Sequence, residues 1–182
     1  MNILSQRNYK QRVSRIEHPG SRIQYPTSKY KVKDMSITIR SAQKEDCTGI
    51  TDLTNQLGYP STLEKICEIM DLVLVHDDHQ VYVAEKDNKI IGYIHLIRSM
   101  RIGSNPFVEI AAFIINESSR SIGVGSSLIK ETENWTSGLG LVDIRIRSNI
   151  IRQEAHNFFQ NRGFQNIKTQ EVFQKNIDQA NK

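Results

Sequence analysis

The residues from Arg120 to Leu128 read RSIGVGSSL, and they come shortly after the nearly unbroken apolar run FVEIAAFII. A helix that starts at such a turn presents unpaired backbone N–H groups and a partial positive charge, which together suit a phosphate. Gly123 and Gly125 let the backbone approach that phosphate without a Cβ in the way; Ser126 and Ser127 add hydroxyl donors, and Arg120 adds charge. The ligand this chemistry predicts carries a pyrophosphate. Glu109 is the second chemical feature. It is the one ionisable residue in PFVEIAAFII, and a carboxylate set in an apolar strand is suited to accept a proton as a general base. A structural alternative stands beside that role: a Glu109 ion-paired with an arginine such as Arg98 or Arg101.

A mononucleotide P-loop needs a glycine-lysine pair followed by Ser or Thr at the end of its loop, which the sequence lacks. A dinucleotide turn needs GxGxxG; Leu128 stands at the third glycine position and Asp143 is the one acid near the expected spacing, so a dinucleotide-binding domain stays as an alternative. A glycine-bearing helix start with no ligand is the structural reading. His95, in GYIHLI, is placed as a substrate-facing residue, with a hydrogen-bonded core or edge histidine as the alternative. HDDH at residues 76–79 has metal-ligand chemistry but reads as a solvated turn between a helix and a strand. Cys47 and Cys67 lie far apart without ligand or catalytic spacing, so no metal site, disulfide framework or cysteine nucleophile is expected. His156 and Trp135 are assigned to packing or surface.

The elements that must position these residues alternate along the chain. SITIRSA is a strand, CTGITDLTNQL a helix, GYP a break, and STLEKICEIMDLVL a second helix capped by Ser61 or Thr62. VYVAEKDNKIIGYIHLIRS is a hairpin turning at Asp87 and Asn88. PFVEIAAFII is a long strand apolar on both faces, and the glycine turn opens a helix that ends at Gly138 and Gly140. LVDIRIRS is a strand, RQEAHNFFQNRG a helix closed by Gly163, and TQEVFQKNI a last strand. The order predicts a mixed α/β domain, a single central mixed sheet flanked by helices.

Composition sets the frame. At 182 residues, with 38% apolar and 24% charged side chains, the chain is long enough for one folded domain and far from the composition of disorder. Residues 1–34 carry eight Lys or Arg against two acids, a net of +6, and the rest sums to −2, so the chain's net charge of +4 comes from them. They show no sustained periodicity and read as a flexible basic extension, with the domain at 35–182 and Met35 as a candidate natural start. A basic arm without aromatic residues on a folded platform disfavours nucleic acid as a partner. No apolar run reaches the length of a membrane span, and the start lacks a signal peptide's apolar region, so a soluble cytoplasmic protein is expected, with a homodimer compatible and the oligomeric state left open.

Taken together, these stretches resemble the GNAT superfamily of acyl-CoA N-acyltransferases. RSIGVG, Arg120 to Gly125, matches its Arg/Gln-x-x-Gly-x-Gly/Ala motif; RSNIIRQEAHNFFQNRGF is similar to its later helix, A-x-x-F-Y-x-x-x-G-F; and VAEKDNKIIGYI resembles its hairpin. The likeness spans Ile37 to Lys175. It implies that the N–H groups from Ser121 through Ile122, Gly123, Val124 and Gly125 to Ser126 wrap the pyrophosphate of acetyl-CoA. It also implies that the backbone of Phe113, Ile114 and Ile115 pairs with the pantetheine arm and points an N–H at the thioester carbonyl. Many members place a Glu on the strand of Glu109. The resemblance departs at Phe159, where relatives carry the tyrosine that protonates the leaving thiolate, and at Arg152, where many have an Asn touching the pantetheine, which makes Asn149 a substitute candidate. The acceptor pocket is expected between the first two helices and the hairpin, with Tyr59 in it. The implied function is direct acetyl transfer from acetyl-CoA to a primary amine, without metal. A non-catalytic acyl-CoA sensor of the same fold is the rival that Phe159 motivates.

Overall fold

The computed structural model describes residues 37–177. The predicted basic extension, residues 1–34, lies outside them. Five strands form one sheet in sequence order: β1 (Thr38–Ser41), β2 (His79–Lys86), β3 (Lys89–Ser99), β4 (Phe107–Ile115) and β5 (Ile144–Ile146). The first four run antiparallel to their neighbours, and β5 joins β4 in parallel. The β2–β3 turn falls on Asp87 and Asn88, with φ of 54° and 61°; two left-handed residues give the twist that closes a two-residue hairpin.

Alternation along the strands sends side chains to two cores. On one face Val81, Val83, Tyr93 and Ile114 pack under α1 (Cys47–Gln56) and α2 (Leu63–Val73). On the other Ile94, Leu96, Val108 and Ile110 pack under α3 (Val124–Gly138) and α4 (Gln153–Gln160), through Val124, Leu128, Ile129 and Phe159. Helix α2 starts where Thr62 accepts the Lys65 N–H at 3.3 Å, and α3 ends before the left-handed Gly140, φ 70°. Among the described residues, no helix is long and apolar enough to cross a membrane.

One expected element is missing. TQEVFQKNI forms no strand, and residues 164–177 run without helix or strand. Its apolar residues Val172 and Phe173 are adjacent rather than alternating and both lie exposed, so the run presents no single apolar face to a sheet. Its neighbour would be the outer edge of β5, which is three residues long.

Arg40 ties the sheet edge to the start of α1. Its guanidinium donates to both oxygens of Asp46 at 2.8 Å and through Nε to Glu85 at 2.8 Å, while Asp46 also accepts the Gln43 N–H at 2.8 Å. Burial would push the Asp46 carboxyl up, but the bonds from Arg40 and Gln43 hold it below its ordinary range. Its stabilisation is therefore present at neutral pH and lost as pH falls through that lowered value. Arg40→Met is expected to cost about 2 kcal/mol at pH 7, less than a fully buried pair because Arg40 is partly solvated. Denaturant unfolding should show the cost shrinking in acid, where a protonated Asp46 needs no partner.

Candidate functional site

Strands β4 and β5 pair only from Val108↔Ile144 to Ile110↔Ile146, after which β4 continues to Ile115 paired with β3 alone. A register shift against β3 falls between His95, paired with Ala112, and Leu96, paired with Ile110, so Ala111 is an extra residue; it lies exposed where the two strands part. The Asn116 N–H donates to Ile91 on β3 at 2.9 Å. Since N–H groups alternate between the two edges of a strand, those of Phe113 and Ile115 point to the edge that β5 has left. The opening is thus lined by unpaired β4 backbone at the residues expected to meet the pantetheine arm.

The opening leads to the glycine turn. Ser121 and Gly123 are both left-handed, with φ of 66° and 93°, and the intrahelical bonds of α3 begin with the Ser127 N–H on the Gly123 carbonyl at 3.1 Å. Alternating handedness of this kind makes a concavity of N–H groups, and those of Gly123, Val124, Gly125 and Ser126 precede Ser127, the first helical donor. The two glycines do different jobs. A Cβ at Gly123 would meet open space, so its backbone conformation is the requirement. At Gly125 a Cβ would lie 2.7 Å from Phe158 Cζ and 2.9 Å from Ile115 Cδ1, so close packing is the requirement. Arg120 is exposed and pairs with Glu117 at 3.5 Å. Arg162 was not foreseen: it lies over the Phe158 ring at 3.6 Å, donates to the Phe158 carbonyl at 3.0 Å and contacts the Ser126 hydroxyl, bringing a charge to the turn from α4.

Glu109 faces away from α3. Its Oε2 accepts from Arg101 at 3.0 Å and its Oε1 accepts from Arg147, so the ion pair weighed from sequence forms, with a second arginine added. Arg98 instead pairs with Asp78 across β2 and β3. Residues 144–147, IRIR, alternate, so once β5 pairs with β4 both Arg145 and Arg147 fall on the side of Glu109. Phe159 is 6% exposed and packs against Phe113, Phe158 and Phe164, so its position on α4 is apolar in surroundings as well as in type. Asn149 is occupied locally, its side chain accepting the Ile151 N–H at 3.2 Å and its carbonyl meeting His156 Nε2 at 3.0 Å. Tyr59 is exposed on the loop after α1, with Arg152 5.7 Å from its ring centroid.

His95 Nε2 lies 2.9 Å from His79 Nδ1, and the two rings stack. Such a contact needs one neutral ring as acceptor. Burial, and then the neighbouring His79, push His95 down from its ordinary 6.5 to about 4. Between those values the unfolded chain binds the proton and the folded chain does not, so stability falls as pH drops from 6.5 towards 4, by at most about 1.4 kcal/mol per pH unit. Thermal melts across that window should show the slope, and His95→Gln should lose this part of it. Among the described residues, no three His, Cys, Asp or Glu side chains gather as metal ligands.

Residues 77–166, which contain the strand opening, the glycine turn and α4, match the family model described as the acetyltransferase (GNAT) domain, so the chain carries that domain over those residues. Its structure is similar to that of a GNAT family acetyltransferase from Staphylococcus aureus, at 25% identity over 79% of this chain and 100% of that one, with a TM-score of 0.62. It also resembles in fold AAC(6')-Iy in complex with a CoA-S-monomethyl-acetylneamine bisubstrate analogue, at 19% identity, 78% and 99% coverage, and a TM-score of 0.70. The aminoglycoside 6'-N-acetyltransferase AAC(6')-Ih from Acinetobacter baumannii matches at 16% identity, 79% and 100% coverage, and a TM-score of 0.67. No curated protein sequence matches the chain.

Proposed function

We propose that this protein is an acetyl-CoA-dependent N-acetyltransferase that acetylates a primary amine by direct attack, its catalytic domain at residues 35–182 and residues 1–34 an extension to it. The observation that carries the reading is the path from the β4–β5 opening to the left-handed turn at Ser121 and Gly123, an unpaired strand edge that ends on an anion-seeking helix start. In this reading the pyrophosphate rests on the N–H groups from Ser121 to Ser126, with Arg120 and Arg162 supplying charge. The N–H groups of Phe113 and Ile115 hold the pantetheine arm and polarise the thioester carbonyl, aimed at the oxygen where negative charge develops. Glu109 accepts the proton of the attacking amine once a guanidinium releases one of its oxygens. Tyr59 and His95 flank the acceptor. The buried Phe159 offers no proton, and the departing thiolate, a tolerable leaving group, takes one from water. The free thiols of Cys47 and Cys67 fit action in a reducing cytoplasm.

Thiol release from acetyl-CoA with a panel of primary amines tests this directly. The expected result is release that depends on the amine. Acetyl-CoA binding without release for any amine would favour the non-catalytic sensor.

A further inference from the structure

We infer that the acceptor amine carries an anionic group, a carboxylate or phosphate, which docks on the guanidiniums of Arg101 and Arg147 beside Glu109. The inference rests on the acetyl-transfer reading above and deepens it to a substrate class. Along the β4–β5 ladder, on the face away from α3, three guanidiniums gather against two carboxylates. Arg101 and Arg147 hold Glu109, and Arg145 lies 3.9 Å from the Phe107 ring centroid with Asp143 3.6 Å away. Arg101 also lies over the same ring, 5.0 Å from its centroid, so Phe107 helps hold the cluster together.

The donors are not used up. The Glu109 side chain is only 14% exposed, whereas Arg101 and Arg147 are 50% and 67% exposed. A guanidinium has five N–H groups; Glu109 takes one from Arg101 and two from Arg147, leaving the rest to the solvent side. A fourth guanidinium, Arg152, stands over Tyr59 on the loop between the two helices of this face. A polycationic acceptor would meet like charge here at close range, while a carboxylate or phosphate would find forked donors of matching shape. The small negative charge of the domain as a whole does not decide the matter, because short-range charge at the reacting centre outweighs distant, screened charge.

The same exchange prepares the base. An anionic group that takes over donors from Arg101 or Arg147 releases a Glu109 oxygen beside the amine of the same molecule. The amine then attacks the thioester carbon, the C–S bond breaks, Glu109 takes the nitrogen's proton and water protonates the thiolate. A molecule without the anion leaves Glu109 clamped.

The test compares matched acceptors on the full-length protein: amino acids against their amides, phosphoethanolamine against ethanolamine, with spermidine and kanamycin as polycations. The expected kcat/KM for the anionic member exceeds its neutral partner by roughly 10- to 100-fold, the worth of one charged hydrogen-bonded contact. Which pair shows the larger ratio separates carboxylate from phosphate. Arg147→Gln should collapse the ratio and Arg147→Lys should keep part of it, a change in selectivity that a merely structural arginine would not cause. If no member turns over, calorimetric binding of the same pairs to the CoA-saturated protein decides by the same comparison. Equal or better use of neutral or polycationic amines, or no binding of the anionic members, overturns the inference. A parallel melt keeps the two claims apart: an acetyl-CoA shift alongside a cationic preference removes only this inference, whereas no shift removes the reading beneath it.

Discussion

Glu109→Gln is expected to lower kcat for acetyl transfer by about 10²- to 10⁴-fold, the usual contribution of a positioned general base, and to leave acetyl-CoA binding unchanged. The split follows from where the residue sits. Glu109 lies on β4 before the strands part, with its carboxylate on the α1 and α2 side, while the glycine turn lies beyond the end of the strand. On the proposed mechanism, removing its charge takes the proton acceptor from the amine without touching the N–H groups of the turn. Glutamine keeps the size but turns an amide N–H₂ towards one of two guanidiniums, so Glu109→Asp serves as the second variant: it keeps the charge with a shorter reach and should retain part of the rate. Single-turnover kinetics with acetyl-CoA affinity measured separately makes the comparison. A Glu109→Gln enzyme with unchanged kcat would show that Glu109 only anchors Arg101 and Arg147.

Gly125→Val should be nearly as damaging, through structure rather than chemistry. The first methyl-bearing atom would fall 2.7 Å and 2.8 Å from two carbons of Phe158 and 2.9 Å from Ile115 Cδ1. Neither neighbour can move freely. Phe158 is held between Arg162 at 3.6 Å and the rings of Phe113 and Phe159 at 5.4 Å and 5.2 Å, and Ile115 ends β4. Overpacking of this kind costs about 1–3 kcal/mol for a single added group, and a branched valine sits at or above the top of that range. Each 1 kcal/mol should lower the melting midpoint by about 2–4 °C in a domain of this size. The relief available is a shift of the first turn of α3 away from β4, which pulls the pyrophosphate donors out of line with the pantetheine edge, so acetyl-CoA affinity should fall with stability. Gly123→Ala is the contrast, since its Cβ has open space and only the φ of 93° to strain. A Gly125→Val protein that melts and binds like the parent would contradict the packing of α4 on the turn.

The parts of this site that sequence made legible are those fixed by local chemistry. Asp87 and Asn88 tolerate the left-handed backbone a tight hairpin needs, and the turn forms on them. Gly123 and Gly125 mark the start of α3 because one needs that backbone and the other a missing Cβ. What sequence could not supply depends on pairing between distant segments. Arg98 and Arg101 are both candidates for Glu109 by charge alone, but the β2–β3 pairing gives Arg98 to Asp78 and leaves Arg101 for Glu109. Arg147 reaches Glu109 only because β5 joins β4 in parallel, and Arg162 reaches Ser126 only because α4 lies against α3. The extra residue at Ala111 and the early end of the β4–β5 ladder, which together make the opening, leave no mark in an apolar run that reads as continuous. The failed strand at TQEVFQKNI is the converse: its residues favour strand, but a strand also needs an edge to pair with and one apolar face to bury.

The claim on which the rest depends is that the turn from Arg120 to Ser126 holds the pyrophosphate of acetyl-CoA. A thermal melt of the full-length protein with acetyl-CoA, and with NAD as the control pyrophosphate ligand, tests it without a known acceptor. At about 100 times its dissociation constant a ligand adds roughly 2.7 kcal/mol, which raises the midpoint of a domain this size by about 5–10 °C. The account predicts that shift with acetyl-CoA and none with NAD. No shift with acetyl-CoA, or an equal shift with NAD, would contradict it.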